Sequence, residues 1–217
     1  MDKHKIYTIG HSTHELDYFL ELLKEYKINC IVDVRSNPAS SYNPQYNQEP
    51  FKNFLKNNNI LYLHFAEEFG ARQTDRDLLD EEGILDFELV RKSWHFKNGL
   101  ERIWQGVEKG FTIAVMCSES NPLDCHRFSM VSVGLAKNGF DVNHILKDKS
   151  IKTQSKLEID LLEQFKKKLP EKDLFCQDVT DEEHLQKQLN IAFRLKNNKI
   201  GYQPYSNNNN KEEEYYD

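Results

Sequence analysis

The chain has no apolar run near the roughly 20 residues that cross a bilayer. Its first residues, MDKHKIYTIGHS, lack the apolar stretch and small-residue cleavage site of a secretory signal. The expectation is a cytoplasmic protein with no membrane contact. Cysteine is scarce: four residues at irregular spacing, with no C-x-x-C pair. In 217 residues that pattern reads as reduced thiols and excludes a disulfide framework. Cys30, inside the run INCIVDV, reads as core. A basic balance of charge is also missing. The net charge is −6, and the last seven residues, KEEEYYD, hold one positive and four negative charges, so half of the excess sits in the tail. Such a balance does not indicate a nucleic-acid partner.

What is present is an alternation of short β-like runs and helical patterns. Strands are expected at 5–9, 30–35, 60–65, 111–117 and 142–146. Ser12-Thr13-His14-Glu15 matches a capping box ahead of a helix carrying Leu16, Phe19, Leu20 and Leu23. Pro50 opens a short helix, and a longer helical region spans 87–108 with a break at Asn98-Gly99. Asn121 as N-cap, Pro122 in the first turn and Gly139 beyond the end frame another. This alternation implies an α/β fold, a mostly parallel sheet of about five strands flanked by helices, with a C-terminal helical extension. The division is an α/β domain at 1–150, a helical extension at 151–203 and a disordered acidic tail at 204–217.

In open parallel sheets ligands bind outside the carboxyl ends of the strands, where loops and helix N-termini converge. Here that rule collects His11 and Ser12 after the first strand, Asp33 and Arg35 at the second, His64 and then Arg72 at the third. The fourth strand delivers Cys117 and Glu119, followed by Cys125, His126 and Arg127. The last three point in different directions around a regular helical turn, so at most two face one pocket unless the turn is irregular.

Three chemistries compete for these residues. A thiol reading gives Cys125 a lowered pKa beside Arg127 and a helix start. The Cys-x5-Arg phosphate loop is excluded, because the positions six beyond Cys117 and Cys125 are Leu123 and Val131. A metal reading through Cys117, Cys125 and His11 meets two objections: the spacing is no zinc-finger pattern, and adjacent residues seldom ligate one ion. No metal ligand is therefore assigned, and the cofactor is left unknown. The preferred reading is an anion pocket. His11, Ser12, Asp33, Arg35, Arg72, Cys117 and Arg127 would bind a small phosphate- or nucleotide-like ligand, and Glu119, Cys125 or His126 would act on it. Alternatives are a Cys/His metal-binding protein, or a non-enzymatic interaction module linked to nucleic-acid processing that takes a protein partner through its C-terminal helices.

The segments TIGHS at 8–12, IVDVRSNPAS at 31–40, His64…FGAR at 64–72 and VMCSESNPLDCHR at 115–127 together resemble the domain of unknown function 488 family, over about residues 5–150. The resemblance implies an α/β domain whose matched motif positions are His11, Ser12, Asp33, Arg35, Cys117, Glu119, Cys125, His126 and Arg127. It supplies no activity. Gly70-Ala71-Arg72 stands where the family carries Gly-Gly-Arg, and the extra methyl limits close backbone approach there.

Overall fold

Five apolar runs, four to seven residues long, pair in parallel: β1 (His4–Gly10), β2 (Cys30–Asp33), β3 (Leu61–His64), β4 (Ile113–Cys117) and β5 (Phe140–Ile145). A sixth strand, β6 (Ile151–Thr153), runs antiparallel along β5, and the sheet order is β3-β2-β4-β1-β5-β6. The computed structural model describes residues 4–171 and 180–205. β6 adds a strand to the five expected; three residues are too few to show a period of two.

Alternation along the strands assigns the two faces. Ile31, Ala114 and Met116 pack under α1 (Leu16–Glu25) and α2 (Gln48–Asn57), against Phe19, Leu23, Phe51 and Leu55. Val32, Val115 and Val142 face the other layer. That layer holds α3 (Ala66–Phe69), α4 (Phe87–Lys92), α5 (Trp94–Glu108) and α6 (Val133–Lys137). The C-terminal helices α7 (Gln154–Phe165) and α8 (Asp181–Ile200) bring Leu157, Leu161 and Ala192 onto Phe128. No described helix is long and apolar enough to cross a membrane. Most of the acidic tail expected at 204–217 lies outside the described residues.

Three local expectations are corrected. Ser12 caps nothing: it has a left-handed backbone (φ 49°), and α1 begins after Glu15, whose side chain makes no cap bond. A left-handed conformation is uncommon for a residue with a Cβ. The 87–108 region breaks at Ser93, whose hydroxyl accepts from the Phe96 N–H and caps α5. Gly99 sits inside α5, where an added Cβ would come within 2.8 Å of Phe69 and closer still to Glu68. It serves helix packing. Asn121 does cap a turn, accepting from the Leu123 N–H, but that turn ends at Asp124 and Cys125 is extended. A π-helix, Arg127–Ser132, then leads into α6.

His144 gives the fold a pH signature. It is fully buried between the Thr8 hydroxyl (2.8 Å) and Gln154 Oε1 (2.9 Å). Burial lowers its pKa from 6.5 to about 3. Between those values the unfolded chain binds a proton that the folded chain refuses, so stability is complete above pH 6.5 and declines as pH falls. One such group contributes a slope of about 1.4 kcal/mol per pH unit. His11, lowered to about 4, acts with the same sign. Urea unfolding of His144→Gln should therefore depend less steeply on pH between 6.5 and 4 than that of the parent. Equal slopes would contradict it.

Candidate functional site

β2, β4 and β1 are neighbours in the sheet, with Asp33 opposite Met116 and Gly10 opposite Cys117. Residues far apart in sequence thereby reach one rim. The segment after β4 lies across the end of β1: the His11 N–H donates to the Cys117 carbonyl and the Ser12 N–H to the Ser118 carbonyl. The crossing requires a glycine at position 10, because an added Cβ would fall 1.9 Å from the Glu119 carbonyl oxygen.

The chain then turns back through the Pro122–Asp124 turn, and its irregularity decides what converges. Cys125 is extended (φ −126°, ψ 142°) and His126 helical (φ −60°, ψ −25°). Both side chains meet Cys117: the two sulfurs and a His126 ring nitrogen all lie within 4.8 Å of one another. His126 Nδ1 stands 3.8 Å from each sulfur. Its Nε2 lies 3.2 Å from the Val34 carbonyl, which can only accept, so Nε2 carries the proton and donates it. All three side chains are buried.

The electrostatics of the cluster favour anionic sulfur. Burial opposes ionisation of Cys125, but a hydrogen bond from Cys117 and the charges of Arg127 and His126 hold its pKa below the ordinary thiol value. Cys117, as the donor to Cys125, is pushed up. The Arg127 N–H also reaches Cys125 Sγ at 3.4 Å. Glu119 lies beside the cluster, 3.9 Å from Arg127 Nη1, with 43% of its side chain exposed. Desolvation and the charge on Cys125 raise its carboxyl to about 7.

Beside this cluster lies a second buried group. Asp33 and Arg35 form a bidentate pair, Nη2 to Oδ2 at 2.6 Å and Nε to Oδ1 at 3.0 Å. Tyr62 donates to Asp33 at 2.7 Å, and the Tyr46 carbonyl accepts from Arg35 at 2.9 Å. His11 stacks on Tyr46 with ring centroids 4.2 Å apart. Its Nδ1–H donates to the Ser12 carbonyl, leaving Nε2 to accept from Arg35 Nη1 at 3.3 Å. Burial and the Arg35 charge keep that ring neutral. His64 belongs to the same rim, donating from Nε2 to the Arg35 carbonyl at 2.8 Å.

The cations are thus turned inward. Arg127 is fully buried and donates to the Glu119 carbonyl (2.6 Å) and the Ser120 carbonyl (3.2 Å), with the Glu119 carboxylate 3.9 Å away. Its Nε has no partner. Arg72 is peripheral; its backbone N–H donates to the Ser36 hydroxyl. A cleft of about 460 Å³ opens elsewhere, between α4, α6, α7 and α8, and none of the expected site residues lines it.

Sequence reasoning missed the Val34 carbonyl behind His126, the Tyr46 and Tyr62 partners of Arg35 and Asp33, and Lys196, which reaches Asp124. Only the last left a signal, a lysine on an apolar helical stripe. No curated protein and no solved structure matches the chain. A family model does, over residues 15–133, a narrower span than the 5–150 of the resemblance. That span contains Asp33, Arg35 and all residues from Cys117 to Arg127, and leaves His11, Ser12 and the C-terminal helices outside. As this match covers more than half of its length, the chain belongs to the family described as Domain of unknown function DUF488.

Proposed function

We propose that the protein is a metal-dependent enzyme in which Cys117, Cys125 and His126 hold a zinc-type cation and Glu119 serves as acid or base beside it. The carrying observation is the placement of His126 Nδ1 at 3.8 Å from both sulfurs. Thiolate and imidazole ligands at about 2.3 and 2.0 Å from a tetrahedral ion stand roughly 3.5 Å apart. The observed separation is close to that edge and long for a hydrogen bond from a thiol. The Val34 carbonyl fixes the ring from behind, as partners of metal-bound histidines commonly do. Three ligands leave a fourth position for water or substrate, and two sulfurs with one nitrogen favour zinc over hard cations.

The objection from adjacent residues is met by the backbone change between extended Cys125 and helical His126. The reading also accommodates a small anionic ligand. Arg35 is matched by Asp33 and Arg127 is committed to two carbonyls, so the ion itself would receive the anionic group, with His11, Ser12 and Arg72 on the periphery.

Protein purified without chelator should carry one equivalent of zinc. Exchange for Co(II) should give the intense near-ultraviolet sulfur-to-cobalt bands of a thiolate site. Cys125→Ser and His126→Asn should lose the ion, whereas Glu119→Gln should keep it. Substoichiometric metal, or a cobalt spectrum without sulfur bands, would overturn the proposal.

A further inference from the structure

The C-terminal helix α8 reaches the same site through one residue. Along α8 the apolar stripe Leu185, Leu189, Ala192, Phe193, Ile200 has a lysine, Lys196, at a position the helical period places inward. Lys196 is indeed fully buried, and its Nζ donates to Asp124 Oδ1 at 3.0 Å. The other Asp124 oxygen accepts from Asn121 Nδ2 at 2.7 Å. Asp124 directly precedes Cys125 and ends the turn that reverses the chain. The next residue of α8, Asn197, fixes the height of the helix: it accepts from the Phe87 N–H at 2.7 Å and donates to the Leu85 carbonyl at 2.8 Å. A charged amine withdrawn from water is costly unless paired. Among the described residues its ionic partner is the carboxylate beside Cys125.

We infer that Lys196 is a positioning residue for the Cys117–Cys125–His126 centre: it pins the Asn121–Asp124 turn so that the extended Cys125 delivers its sulfur to the other two ligands. The inference rests on the metal reading above. It also makes α8, which lies outside the matched family span, a working part of the site. Asp124 is half-exposed, so Asp124→Asn adds no volume to the core, but it leaves the Lys196 amine buried without its carboxylate, and stability is therefore measured beside binding.

The test is Co(II) titration of the full chain with spectral readout, beside the thermal stability of the chelated form. Lys196→Met and Asp124→Asn should each weaken Co(II) binding about 10- to 100-fold, the range for groups that orient metal ligands, and should shift the d–d bands. The double variant should be no worse than the worse single one, and Lys196→Arg should restore binding. Parental affinity and spectrum in Asp124→Asn overturn the positioning role and leave the metal centre standing. If the parent protein itself binds no Co(II), the metal centre falls and the positioning role falls with it.

Discussion

Gly10→Ala is expected to lose at least about 3 kcal/mol of stability, the upper end of ordinary overpacking, or about 10 °C in Tm for a chain of this size. The added methyl falls 1.9 Å from the Glu119 carbonyl oxygen and 3.1 Å from Arg127 Nη2. Neither neighbour can step aside cheaply. The first is backbone, held by Arg127 at 2.6 Å, and the second belongs to a buried guanidinium. Moving the Glu119 carbonyl strips a partner from Arg127, whose Nε already has none. On the proposed metal reading the variant should also lose the ion, because the same segment joins Cys117 to Cys125. Gly106→Ala is the control. Its Cβ meets only the end of the flexible Ile113 side chain, at 2.9 Å, and alanine is the better helix former. A Gly10→Ala protein as stable as Gly106→Ala would refute the close crossing.

The second large effect is expected at Asp33. Asp33→Ala leaves the Arg35 charge buried without its bidentate partner and takes the acceptor from Tyr62. Breaking a buried pair from one side costs about 3–5 kcal/mol, whereas replacing both members by apolar residues is often far milder. Asp33→Ala/Arg35→Met should therefore recover part of the loss, as read from urea midpoints at unchanged slope. A cost below about 1 kcal/mol for the single variant, on the scale of a surface pair, would show that this pair does not organise the rim. The residue between them is Val34, whose carbonyl holds His126. If the proposed metal centre exists, Asp33→Ala should for that reason also loosen Co(II), with no ligand removed.

Much of the fold was legible because its signals are local. Five of the six strands are apolar runs, and α1 shows its buried face as Phe19, Leu20 and Leu23 at helical spacing. The rim was legible too, since the rule on strand carboxyl ends depends only on strand type and direction. The direction of the side chains was not. Arg35 and Arg127 look from sequence like cations offered to a ligand, and their buried environments turn them onto Asp33 and onto backbone carbonyls. Those partners are set by strand order and loop path, which no period encodes. Ser12 shows the limit at short range: its motif fits a cap, yet the chain needs a left-handed turn there to pass Ser118. The convergence of Cys125 with His126 was likewise hidden, because the helix frame at Asn121 and Pro122 gives no sign that the turn stops at Asp124.

The position of β1 has a consequence for how the protein is made. The N-terminal strand lies in the interior of the sheet, with β4 and β5 on either side, and its partners, Ala114 to Cys117 and Phe140 to His144, come more than a hundred residues later. During synthesis β2 and β3 have each other as soon as both have emerged, while Ile6 and Ile9 have no partner strand. Domains generally fold as units as the ribosome releases them, and long-range pairing is slow. Fragments ending before Phe140 leave the central strand bare on one side, a template for aggregation. The rim that joins Cys117 to His11 cannot form before β4 has emerged, and the sheet is completed only once β5 and β6 follow.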